Sequence, residues 1–181
     1  MILRTLLLCC CCLLGFAPVA EAEDFKLESG FKLLLNGKNL DGWKTKAGEA
    51  LDGKTAAFGG RFTVADGELV IDPKVKGDVI INTTAEFAKD LHLKFEFLPD
   101  AACNNDLFLR GVKFDLKQQD VKNLKADAWN QFEIIVHDDT MELKNNGELI
   151  KTTKIKPGST PLGLRAEFGA MKVRHLRVMA N

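Results

Sequence analysis

Tyrosine is absent from this chain and tryptophan occurs only twice. So few large polar aromatics leave few platforms for stacking a sugar ring, which argues against a high-affinity lectin. An excess of either charge is also missing: Lys plus Arg number 25 and Asp plus Glu 25. Without a basic face, nucleic acid and anionic membrane surfaces are poor partners. A neutral or locally polar ligand fits better.

Long apolar runs are missing beyond the first residues. Arg4, an apolar stretch over residues 6–14 and Ala20-Glu21-Ala22 form a leader with its cleavage site, read as residues 1–22. The apolar stretch is shorter than the roughly 20 residues a membrane span needs, so no membrane insertion is expected after the leader is removed. Lipid attachment at Cys9 to Cys12 is the other reading, but leucines precede those cysteines where small residues are expected. Export to a secreted or periplasmic location follows from the leader. Four of the five cysteines depart with it, leaving Cys103 and no possible intramolecular disulfide. Stability must therefore come from a packed core, and residues 23–181 suffice for one domain.

A helical stripe is also lacking; alternation with period two recurs instead. Asn36-Gly37, Asp41-Gly42, Asp66-Gly67 and Asn145-Asn146-Gly147 are tight-turn signals between short apolar strands. Leu91, Leu93, Phe95 and Phe97 alternate with His92, Lys94 and Glu96. The apolar phase slips between Val173 and Leu176, which calls for a β-bulge near His175. About a dozen strands describe an all-β sandwich or jelly roll. Helix is expected only as a turn or two over residues 84–89, and Trp43 is expected in the core.

Strand parity also proposes a ligand face. Glu96, Phe108, Arg110, Asp115, Lys117, Arg165 and Glu167 all sit out of phase with the apolar positions of their strands. If those strands are neighbours, the polar groups converge on one surface. The plain alternative is a solvated sheet face whose cross-strand ion pairs contribute about 0.2–1 kcal/mol each. His92, His137 and His175 have no ligand spacing, so no zinc is expected, and Asp138-Asp139 reads as a solvated turn, with calcium the other reading and no metal assigned. Cys103 has no partner histidine nearby and reads as a bystander thiol.

Eight segments in order carry a resemblance. They are G-F-K-L-L-L-N-G-K-N-L-D-G-W from Gly30, D-L-H-L-K-F-E-F from Asp90, N-N-D-L-F-L-R-G from Asn104 with F-D-L-K from Phe114, W-N-Q-F-E-I-I-V from Trp129, L-K-N-N-G-E-L-I from Leu143, and P-L-G-L-R-A-E-F-G from Pro161 with V-R-H-L-R-V from Val173. Together they resemble the 3-keto-disaccharide hydrolase domain family. The resemblance implies a concanavalin-like jelly-roll β-sandwich and a carbohydrate or glycoside ligand, with no cofactor. It also implies a chemistry: a base removes the acidic C2 hydrogen of a 3-keto sugar, the C1 substituent leaves by elimination, and water adds back. Glu96, Asp115 or Glu167 would be the base, with Arg110 or Lys117 stabilising the enolate. Lys117, Arg165, Glu167 and Phe108 would bind substrate. The stretch 118–128 is short where the family has a long excursion. Lys117 and Phe168 stand where the family has glutamine and histidine. A non-catalytic carbohydrate- or surface-binding module on the same fold is the alternative.

Overall fold

The computed structural model describes residues 25–180; residues 1–22, expected to form a leader, lie outside them. In chain order the strands are β1 (Lys32–Leu33), β2 (Trp43–Thr45), β3 (Ala56–Ala57), β4 (Phe62–Ala65), β5 (Glu68–Ile71), β6 (Val79–Phe87) and β7 (Leu91–Pro99). They continue with β8 (Asn104–Leu109), β9 (Val112–Leu116), β10 (Asn130–His137), β11 (Thr140–Asn145), β12 (Glu148–Lys154), β13 (Thr160–Phe168) and β14 (Met171–Ala180). A 3-10 turn, Phe58–Gly60, lies between β3 and β4.

The strands form two antiparallel sheets. One runs β12-β11-β10-β7-β14-β5-β4-β3, with β1 also paired to β14. The other runs β2-β6-β13-β8-β9. Together they make a jelly-roll β-sandwich. Alternation dictates which side of each strand is buried: Leu91, Leu93, Phe95 and Phe97 of β7 enter the core with Phe132 of β10 and Phe114 of β9. Their rings meet at 5.2–6.0 Å between centroids, tilted or edge-on rather than face to face. Trp43 is fully buried and its indole N–H donates to the Leu34 carbonyl at 2.7 Å, so its polar atom is satisfied inside the core.

Two local readings meet different outcomes. The β-bulge is present: the pairing of β14 with β7 shifts between Arg174 and Arg177, and His175 has φ +54°. The helical turn expected over residues 84–89 is absent. Strand β6 continues to Phe87 because Glu86 and Phe87 pair with Pro161 and Thr160 of β13, and pairing overrides local preference. Among the described residues no helix is long and apolar enough to cross a membrane.

Candidate functional site

The outer face of the five-stranded sheet carries two ranks of side chains, set by register. In one, Ile80, Arg165, Asp106 and Asp115 stand opposite one another across β6, β13, β8 and β9. In the next, Asn82, Gly163, Phe108 and Lys113 do the same. Gly163 leaves a close gap here: a Cβ would lie 2.8 Å from Asn82 Oδ1 and 3.3 Å from the Phe108 Cβ. The face is shaped by that gap.

Arg165 organises the first rank. Its Nε donates to Asp78 Oδ1 at 2.6 Å and its Nη1 to Asp106 Oδ2 at 2.8 Å, and Nη2 lies 3.2 Å from Glu167 Oε1. These carboxylates, Asp78 first, push the guanidinium further up from its already high value, and Arg165 in turn holds Asp78 below the usual carboxylate range. The guanidinium is thus a permanent, oriented fork of donors.

Asp106 and Asp115 divide two roles between two carboxyls. The Asp106 side chain has no exposed surface, and burial, aided by the neighbouring Asp115, raises its pKa against the opposing pull of Arg165. Its Oδ1 accepts no hydrogen bond. Burial also pushes Asp115 up, but the Lys113 ammonium at 2.6 Å and the hydrogen bond shared with Asp106 outweigh it and leave Asp115 lowered. With opposite shifts in adjacent carboxyls, Asp115 ionises at a lower pH than Asp106 does. Lys113 is raised, chiefly by Asp115.

A cavity of about 640 Å³ opens over this face. Arg165, Asp78, Ile80 and Phe108 line it from the sheet, Thr45, Lys46 and Glu49 from the loop after β2, and Phe58 from the 3-10 turn. A smaller hollow of about 220 Å³ adjoins Lys113, Asp115 and Asp120.

Of the residues singled out by parity, Phe108, Asp115, Arg165 and Glu167 share this face. Lys117 lies just past β9 and turns to Asp120 at 3.2 Å. Glu96 and Arg110 are corrected. Glu96 is on β7, in the other sheet, and points outward from the far side of the core, where Arg174 and His175 bind it at 2.7 and 3.2 Å. Arg110 does not continue the alternation of β8. It begins a tight turn with Gly111, the two at φ +50° and +76°, and is 5 % exposed. Its Nε donates to the Lys156 carbonyl at 3.1 Å and its backbone N–H to Thr160 Oγ1 at 2.9 Å. Neither residue can meet Asp115. Asp106, Asp78 and Lys113 complete the cluster and were not singled out; parity with Phe108 carried the signal for Asp106, whereas Asp78 is placed only by tertiary pairing. Cys103 is buried, and burial pushes its thiol up to about 11, which leaves it unreactive.

A family model described as 3-keto-alpha-glucoside-1,2-lyase-like domain matches residues 30–124, and one for a domain of unknown function matches residues 99–179. No curated protein sequence matches the chain. Among solved structures, a candidate glycosyl hydrolase from Parabacteroides distasonis superposes with a TM-score of 0.67 at 15% identity, covering 84% of this chain and 94% of that one. The carbohydrate binding module CBM66 from Bacillus subtilis superposes with a TM-score of 0.57 at 10% identity, covering 75% and 94%. The carbohydrate recognition domain of Emp47p gives 0.58 at 9% identity, covering 89% and 100%. At these identities the likeness is one of fold.

Proposed function

The chain belongs to the 3-keto-alpha-glucoside-1,2-lyase-like domain family, and on that premise we propose that it is an exported carbohydrate-active protein that cleaves a 3-keto-glycoside on the open face of its five-stranded sheet. The single observation that carries this reading is the Asp115–Lys113 pair, a carboxylate and an ammonium 2.6 Å apart at the 220 Å³ hollow of that face.

A carbonyl at C3 makes the C2 hydrogen acidic. Asp115 takes that proton, and the carbon–hydrogen electron pair moves onto the C3 oxygen as an enolate. Lys113, adjacent to the base, stabilises the developing oxyanion. The enolate re-forms the carbonyl as a C1–C2 double bond forms, and the C1 oxygen departs as an alcohol, taking the proton from Asp115 and restoring its carboxylate. Water then adds across that bond, giving the free 3-keto sugar. Arg165 takes no part in the bond changes; its fixed fork orients sugar hydroxyls, and Asp106 positions both Arg165 and Asp115 from below. Neither Glu96 nor Arg110 serves, since both lie away from this face.

The second reading, a binding module without turnover, has its own support: Asp78, Asp106 and Glu167 already neutralise Arg165, and Phe58, Val79, Ile80 and Phe108 give the cavity an apolar lining. Incubating the purified protein with 3-keto-trehalose and measuring released glucose separates the two. Release that disappears in Asp115→Asn supports cleavage. Binding of trehalose without release supports the module. Neither release nor binding overturns the site.

A further inference from the structure

The rim of the 640 Å³ cavity holds a residue in an unfavourable backbone conformation. Phe58 has φ +52°, and Gly59 and Gly60 follow at +65° and +94°. A left-handed backbone brings Cβ against the following carbonyl, so a bulky residue there is uncommon. Glycine occupies the next two positions but not this one. The ring is not hidden in the core in return: Phe58 is 38 % exposed, and its one aromatic neighbour is Phe62, tilted at 6.3 Å between centroids. It borders both the large cavity and an adjoining one of about 350 Å³. Strain held at a cavity rim is a mark of a functional position.

The two tryptophans are committed elsewhere. Trp43 is in the core, and Trp129 is capped by the Arg174 guanidinium 4.0 Å above its ring. Phe58 and Phe108 are therefore the aromatic surfaces the cavity offers. The remaining lining divides into apolar Val79 and Ile80 and polar Thr45, Lys46, Glu49, Asp78 and Arg165. That division matches a pyranose whose substituents are equatorial: carbon-bound hydrogens cover its faces and hydroxyls ring its edge.

We infer that Phe58 is a stacking platform for the apolar face of a gluco-configured pyranose ring, held over the cavity by its left-handed backbone, while Arg165 and Asp78 address the hydroxyl edge. The inference rests on the open-face site proposed above. Stacking acts equally on substrate and transition state, so it governs KM and leaves kcat unchanged.

The test compares wild type with Phe58→Ala, Phe58→Gly and Phe58→Trp, using 3-keto-trehalose for turnover and trehalose for equilibrium binding. Ala and Gly should raise KM about tenfold with kcat held, and Kd for trehalose takes the place of KM if wild type binds without turnover. Trp should keep wild-type affinity, and its emission should change as trehalose is added. Phe58→Gly should keep or raise Tm, because glycine adopts φ +52° without strain. Wild-type affinity in Phe58→Ala overturns the platform and leaves the site intact. A marked fall in Tm for Phe58→Gly with unchanged affinity also overturns it, as the mark of a packing residue. If wild type neither turns over nor binds, the open-face site fails and the platform with it.

Discussion

Asp106 and Asp115 stand directly opposite each other on β8 and β9, and Lys113 reaches both, its Nζ 3.4 Å from Asp106 Oδ2 and 2.6 Å from Asp115 Oδ1. Like charges in a cross-strand pair are destabilising. Lys113 and Arg165 supply part of the compensation, and burial beside Asp115 raises the Asp106 pKa, so its carboxyl holds a proton up to a higher pH than a free aspartate does. The folded protein therefore binds that proton more tightly than the unfolded chain does. The stability this proton confers is present below the ordinary aspartate value and declines as pH rises through the raised folded one. Asp115→Asn should lower the Asp106 midpoint, read by carboxyl carbon NMR; an unchanged midpoint would show that the two carboxyls do not share the proton.

Asp115→Asn should lower turnover of 3-keto-trehalose by about 10²–10⁴-fold, the range for losing a positioned base. Tm should change little, since Asp115 is half-buried at the sheet's edge strand. Lys113→Ala should lower kcat as well, with smaller loss for Lys113→Arg. Trehalose affinity in both should stay near wild type. An Asp115→Asn protein with full turnover would move the base elsewhere on the face.

Arg110→Ala should destabilise the protein by about 1–3 kcal/mol, the range for a buried, charged hydrogen-bond donor, and leave sugar binding untouched. The loss follows from the bonds that tie the β8–β9 turn to Lys156 and Thr160. Chemical denaturation checks the first part and trehalose titration the second. A binding defect in a fully stable variant would return Arg110 to the site.

Gly163→Ala tests how tightly the floor of the face is built. The added methyl would press on Asn82 and Phe108 from the middle of β13. Overpacking of this kind costs about 1–3 kcal/mol, and displacing Phe108 should weaken trehalose binding at the same time. Wild-type behaviour in both assays would show that the floor yields.

Glu28 anchors the segment before β1. Its carboxylate receives Arg177 Nε at 2.5 Å and Nη2 at 2.9 Å, and this pair, Arg177 first, lowers its pKa to about 2. The contribution is present above the ordinary glutamate value and is lost as pH falls through about 2. At 40 % side-chain exposure, solvent screening keeps that contribution modest. Glu28→Gln should lower the protection factors of the amides of residues 31–34 at neutral pH, and acidification towards the lowered Glu28 pKa should lower them in wild type alone. Equal exchange in both proteins at neutral pH would show the anchor to be idle.

Local order was legible in the chain and sheet membership was not. The alternation of residues 91–98 gives the buried face of β7 correctly, and the slip after Val173 locates the bulge at His175. Both depend on neighbours in sequence. Grouping Glu96 with Asp115 required knowing that β7 pairs with β10 and β14 while β9 pairs with β8, and period two is silent on that. Arg110 shows a second limit. Parity extrapolated one residue past the end of β8 meets a turn, where positive φ redirects the side chain. Asp78 lies outside any alternating run and is brought in only by its partner Arg165.

Strand β14 has a consequence for how the protein is made. It is the seam of the nine-stranded sheet, joining β7 on one side to β5 on the other, with β1 also seated on it through Lys32 opposite Val178. Until residues 171–180 leave the ribosome, two halves of that sheet have no common member, and β1 has no strand to pair with. A chain with such distant pairings folds late and slowly, and its last ten or so residues set the moment at which the sheet can close.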